Sequence, residues 1–188
     1  MQDKRQSRNT KVVKMMLIIL LPLLLALSTL SGDQNYGLLS VILMLVALVP
    51  FFLRFEKRRP EARELVVIAV MAALAALGRV VFAPIPNFKP TSAIIIITAM
   101  AFGSEAGFLT GATAAVVSNF FFGQGPWTPW QMFSWGMIGF VAGILRKTGL
   151  LQGKISLSIY GLFSGFAFGW LMNLWFIIGY LNPITWQA

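Results

Sequence analysis

Between Met15 and Tyr180 the chain is a series of apolar segments separated by short polar breaks, and nearly all of its positive charge falls before Met15 and in or beside two of those breaks. Only 11% of residues are charged and 57% are hydrophobic, whereas a soluble domain carries about 25% charged residues. The apolar runs therefore read as membrane spans rather than buried core helices. The spans are expected at about Met15–Leu30, Gly37–Phe55, Leu65–Phe82, Thr91–Phe102, Gly107–Phe122, Trp130–Leu145 and Ile155–Tyr180.

Charge placement orients these seven segments. With the N-terminus in the cytoplasm, Lys4, Arg5, Arg8, Lys11 and Lys14 lie inside. Arg54, Lys57, Arg58, Arg59 and Arg63 follow on the same side, as do Arg146, Lys147 and Lys154. That is thirteen of the fifteen basic residues, as the positive-inside rule requires. The net charge of +9 thus reads as topology and contact with anionic lipid, not as a nucleic-acid footprint. The expected location is the cell membrane, multi-pass, with a cytoplasmic N-terminus. Met15–Leu30 reads as a retained span, because no convincing small-x-small site ends it.

Much chemistry is excluded. There is no cysteine and no histidine, so disulfides, thiolate sites, imidazole metal ligands and the commonest general base are absent. A Ser–His dyad is impossible. No catalytic residue, metal ligand or cofactor is assigned, and the chain is not expected to be an enzyme. Ion-coupled secondary transport is disfavoured by the scarcity of charge in the spans.

Two outer loops, with Lys89 their one charged residue, hold the candidate functional residues. "APIPNFKP" (83–90) and "GQGPWTPW" (123–130) are stiffened by proline. They and their flanks offer Asn87, Lys89, Thr91, Gln124, Thr128 and Gln131 as polar groups, and Trp127 and Trp130 as flat apolar surfaces. Apolar walls with a few placed polar groups suit a small-molecule site; an aromatic belt at the membrane interface is the simpler alternative. The neighbouring spans Thr91–Phe102 and Gly107–Phe122 are short for a bilayer of about 30 Å, which points to a substrate site near them. Asn119 is expected either to bond a neighbouring helix or to contact a ligand, and Asn173 less so. Arg79 lies near a span end, where snorkelling outward is the default; the alternative is an inward position facing an anionic or carbonyl-rich ligand. Small residues recur at spacing four: Ala69–Ala73, Ala72–Ala76, Gly107–Gly111–Ala115, Gly139–Gly143 and Gly161–Gly165–Gly169. Most of these should be internal helix packing.

Residues Glu64 to Tyr180 resemble the substrate-binding S component of energy-coupling factor (ECF) vitamin transporters. The alanine-rich helix from Glu64, "AMAFGSEAGFLTG" and above all "SNFFFGQGPWTPWQMFSWGMIGFVAGIL" carry the likeness, and the Trp loop is most similar to the cobalamin type. The resemblance implies an all-α integral membrane protein, an S-component-like helical bundle that captures a vitamin-like small molecule at its outer face. It implies as partners a transmembrane coupling protein and two cytoplasmic ATPase subunits, besides the bilayer. Ala69, Ala72, Ala73 and Ala76 match the motif with which the family packs on its coupling protein. Two departures stand out: about seven helices are expected, two of them extra at the N-terminus, and no final core helix is recognisable. The chain accordingly divides into a basic N-terminus (1–14), a two-helix hairpin (15–55), a charged linker (56–64) and an S-component-like core (65–188). A corrinoid is the favoured ligand, held without histidine or cysteine ligation of cobalt; riboflavin or a queuosine precursor is the alternative. A ligand-free structural or assembly subunit is the rival reading.

Overall fold

The structure, a computed structural model, describes residues 36–57, 61–85 and 88–180. Every regular element among them is an α-helix: α1 (Tyr36–Lys57), α2 (Ala62–Val81), α3 (Thr91–Phe102), α4 (Ser104–Phe122), α5 (Thr128–Lys147) and α6 (Lys154–Tyr180). The expected span Met15–Leu30, the basic segment before it, Asn87 and residues 181–188 lie outside the described residues. Two of the described helices are long and apolar enough to cross a membrane, Ala62–Val81 and Lys154–Ile177. At about 1.5 Å per residue, the 12-residue α3 covers only part of a bilayer.

α4 and α5 form the centre. Eleven residues of α4 are buried, from Ala106 to Asn119. Their crossing is close because glycines face each other: a Cβ on Gly107 would stand 2.9 Å from the Gly139 carbonyl oxygen, and one on Gly136 would stand 2.6 Å from the Phe108 ring. Backbones approach this closely only where side chains are missing. The Gly107–Gly111 and Gly139–Gly143 rows are thus internal packing, as expected.

α2 packs against α3 and α4 and buries Ile68, Ala72, Ala75 and Ala76. Its opposite face leaves Leu65, Val66, Val70, Leu74 and Leu77 exposed, which suits a lipid-facing helix. The two alanine rows therefore separate: Ala72 and Ala76 are buried, Ala69 and Ala73 exposed.

α3 is pinned to α2 by the Thr91 hydroxyl, which donates to the Ala75 carbonyl at 3.2 Å. α3 and α4 are separated by Gly103 alone, whose φ of +96° turns the chain in one residue. The polar break expected over "GSEA" is absorbed into the first turn of α4, which begins at Ser104 rather than Gly107.

α5 starts at Thr128 with Pro129 in its first turn, where a missing N–H costs nothing. α6 is tied to it by the Tyr160 hydroxyl, donating to the Ile138 carbonyl at 2.6 Å. α1 packs by Phe51, stacked on Phe108 of α4 with ring centroids 3.8 Å apart and set edge-on to Phe140 of α5 at 5.1 Å.

Candidate ligand-binding site

The C-terminal ends of α2 and α4 meet the N-terminal end of α5, and there the polar residues of three helices form one chain of hydrogen bonds. Arg79 Nη1 donates to Ser118 Oγ at 2.7 Å and to Asn119 Oδ1 at 2.6 Å. Asn119 Nδ2 donates to Thr128 Oγ1 at 2.9 Å and to Gln131 Oε1 at 2.8 Å. The Thr128 hydroxyl donates to Gln124 Oε1 at 3.0 Å and accepts from the Gly125 N–H at 3.2 Å. Gln124 Nε2 ends the chain on the Val116 carbonyl at 2.8 Å. Ser118 and Asn119 are fully buried, and Thr128 and Gln131 nearly so. Such a network stabilises only if all its members are satisfied, and each of these has a partner.

The structure corrects the snorkelling expectation for Arg79. Its guanidinium turns inward, 4.6 Å from the Phe122 ring centroid and 5.0 Å from that of Trp135. Two neutral acceptors and two aromatic faces replace the water it would otherwise seek. Charge-assisted hydrogen bonds contribute about 1.5–3 kcal/mol each, enough to offset the roughly 3 kcal/mol cost of an arginine in a span.

Trp135 stands between this network and a cavity. Its ring stacks on Phe168 of α6, centroids 4.8 Å apart. Beyond that pair, α3 and α6 diverge and leave a cavity of about 1110 Å³, whose walls reach along α6 from Leu157 to Asn173. Gly161, Gly165 and Gly169 face it, and a Cβ on any of them would meet nothing within 4 Å. The expectation of helix packing fails for this third glycine row: it borders open space. The remaining lining is mostly apolar, with Lys89, Thr91, Ser92, Ser164 and Asn173 as polar members.

Of the residues singled out in the sequence, Lys89 and Thr91 line the cavity, and so does Asn173. Asn119, Gln124, Thr128 and Gln131 come together in the network instead. Trp130 is buried at 1% exposure, its indole N–H without an acceptor among the described residues. Trp127 packs edge-on against Trp175 of α6, centroids 6.0 Å apart. Ser118, Trp135 and Phe168 were not anticipated. No group of three or more acidic, histidine or cysteine side chains is placed to hold a metal among the described residues.

The described core, from α2 to α6, is also where the chain resembles known proteins. Residues 60–186 match the family described as ECF-type riboflavin transporter, S component. The chain belongs to this S-component family. A UPF0397 protein of Vibrio atlanticus is 34% identical over 111 residues, which are 55% of this chain and 60% of that protein. A UPF0397 protein of Aliivibrio salmonicida is 31% identical over 125 residues, 64% of this chain and 67% of its own. One from Aliivibrio fischeri is 34% identical over 89 residues, 45% of this chain and 48% of its own. The chain thus spans about half to two thirds of the length of these relatives. No solved structure matches. S components are membrane-embedded transporter subunits and not enzymes. The S-component match begins at residue 60, so α1 precedes it.

Proposed function

We propose that the chain is the membrane-embedded substrate-binding subunit of an ECF transporter, and that its ligand is a flat heteroaromatic vitamin-like molecule bound in the cavity between α3 and α6. The observation that carries this is the cavity itself, beside the stacked Trp135–Phe168 pair. Ligand pockets of this kind are mostly apolar, largely pre-formed and measure about 300–1,000 Å³. Aromatic stacking on Trp135 and Phe168 would supply most of the binding energy, and Lys89, Thr91 and Asn173 the orientation. Asn87, in the same loop as Lys89, is proposed to join them. Asn119, Gln124, Thr128 and Gln131 would hold the outer end in shape behind Trp135, while Trp127 and Trp130 join the aromatic loop to α6 and to the core. Capture would take place at the outer face, with the N-terminus in the cytoplasm.

A ring system of the flavin type agrees with the family's description. A corrinoid has the similarity of the Trp loop as its support. The partners follow from the family: a transmembrane coupling protein and two cytoplasmic ATPase subunits, with Ala69 and Ala73 as the docking ridge because they are the members of the alanine motif that face outward.

A thermal-shift panel on the purified protein tests this reading. A ligand stabilises the state that binds it, by about 2.7 kcal/mol at a hundredfold excess over Kd. Riboflavin, cobalamin, cobinamide, folate and queuosine-type compounds form the panel. A saturable shift with one of them, lost when Gly165→Leu fills the cavity, is the expected outcome. No shift with any would favour a ligand-free assembly subunit.

A further inference from the structure

We infer that the cavity selects an anionic ligand, a heteroaromatic molecule bearing a phosphate or carboxylate, with Lys89 meeting the anion and Arg79 adding a second positive charge from behind Trp135. This rests on the substrate-binding reading above and deepens it.

The argument is one of uncompensated charge. Lys89 is the single charged side chain among the residues lining the cavity. Arg79 stands one aromatic ring away, 5.0 Å from the Trp135 centroid, and Trp135 itself lines the cavity. Neither cation forms an ion pair among the described residues; the acceptors of Arg79 are a hydroxyl and an amide oxygen, both neutral. The described acids are all at the other end of the bundle. Glu56 closes α1, Glu61 and Glu64 open α2, and Glu105 opens α4. The Arg79 end is the end where α2 and α4 finish. Two cations therefore act on an apolar cavity with no described anion near them, and Arg79, part-buried between two aromatic rings, is screened less than the exposed Lys89.

Holding Asn119 Oδ1 does not by itself require a charge. A neutral amide or hydroxyl would donate to it at lower cost in a membrane span. The permanent guanidinium adds a field that favours anions, repels cations and is indifferent to neutral molecules. Lys89, at the cavity wall, is placed to make the direct, charge-assisted contact.

Matched pairs provide the test: riboflavin against riboflavin 5′-phosphate, and pyridoxine against pyridoxine 5′-phosphate, titrated calorimetrically into the full chain in nanodiscs of uncharged lipid. The phosphate member of at least one pair should bind about tenfold or more tightly than its parent. Lys89→Gln, at an exposed residue, should shrink that ratio, the phosphate ester losing more affinity than its parent. Asn119→Asp, which sets a carboxylate against Arg79, should shrink it independently. Equal affinity for both members overturns the inference and leaves the substrate-binding reading standing. So does binding of either parent compound with neither phosphate ester bound. A ratio unchanged in both variants also overturns it. No binding by either pair, together with no shift across the thermal panel, overturns both.

Discussion

Arg79 and Asn119 meet at 2.6 Å, and this contact sets the direction of the hydrogen bonds that follow it. A guanidinium only donates, so Asn119 must turn its oxygen to Arg79 and its NH₂ toward Thr128 and Gln131. Gln131 must then present its oxygen, and the hydroxyl hydrogen of Thr128 is sent on to Gln124 Oε1. The Gln124 NH₂ is left for the Val116 carbonyl. Three helices are locked in one pattern of donors by a single donor-only residue. Replacing Asn119 with Leu should break it at its centre, leaving a half-buried cation short of an acceptor, the Gln131 oxygen unpaired and the Thr128 hydroxyl short of one donor. The expected loss is about 3 kcal/mol or more, read as a lowered unfolding temperature in detergent. Gln124→Ala, at the exposed end of the chain, should cost about 1 kcal/mol or less. Equal losses from the two would contradict a network anchored on Arg79.

The glycines of α4 and α5 and those of α6 share one motif and should behave in opposite ways. Leucine at Gly139 would have to displace the backbone of Gly107, since the two helices touch there. It should prevent folding or cost more than about 3 kcal/mol. Leucine at Gly165 meets open space and should leave the unfolding temperature within a few degrees while abolishing ligand binding. Loss of folding in both would mean that the gap between α3 and α6 is filled in the membrane by a packed helix.

Much of this was legible in the sequence, and the reasons for the rest are physical. Helix ends were readable to within about three residues because each lies at a change of hydropathy or beside Pro or Gly; the exception, "GSEA", contains a turn that needs Gly103 alone. The inward course of Arg79 was not readable. Its acceptors are 39 and 40 residues away, and a snorkelling arginine has the same local sequence. The amides around the Trp loop were readable as a cluster, but nothing local says whether such groups bond one another or a ligand. The cavity was hidden for a related reason. A void belongs to the arrangement of helices, and Gly161–Gly165–Gly169 spells the same motif as rows that are tightly packed.

On α2 the split between the alanine rows makes a sharp prediction about assembly. Ala73 is exposed and Ala72 is at 1% exposure, adjacent in sequence but on different faces. Ala73→Trp should leave folding and ligand affinity near the wild type and reduce co-purification with the coupling protein and ATPases by about tenfold or more. Ala72→Trp should instead fail to fold, because the inner face has no room for an indole. Normal complex formation by a folded Ala73→Trp protein would remove this ridge from the docking surface.

The two tryptophans of the 123–130 loop should separate in the same manner. Trp130 is a core residue at 1% exposure, so Trp130→Ala should act on stability, by about 3–5 kcal/mol, with any loss of binding following from loss of the fold. Trp127 is only partly buried and holds the C-terminal part of α6 through Trp175, two residues beyond the cavity residue Asn173. Without that contact α6 is freer to move from α3, and the cavity loses its fixed width. Trp127→Ala should therefore weaken binding at least about tenfold with a stability loss of about 1–2 kcal/mol, from the lost edge-on pair and a little buried area. Calorimetry on the folded fraction, monitored by gel filtration, separates these effects. Unchanged affinity in folded Trp127→Ala protein would return the loop to the role of an interfacial anchor, whose loss affects insertion into the membrane and not the ligand.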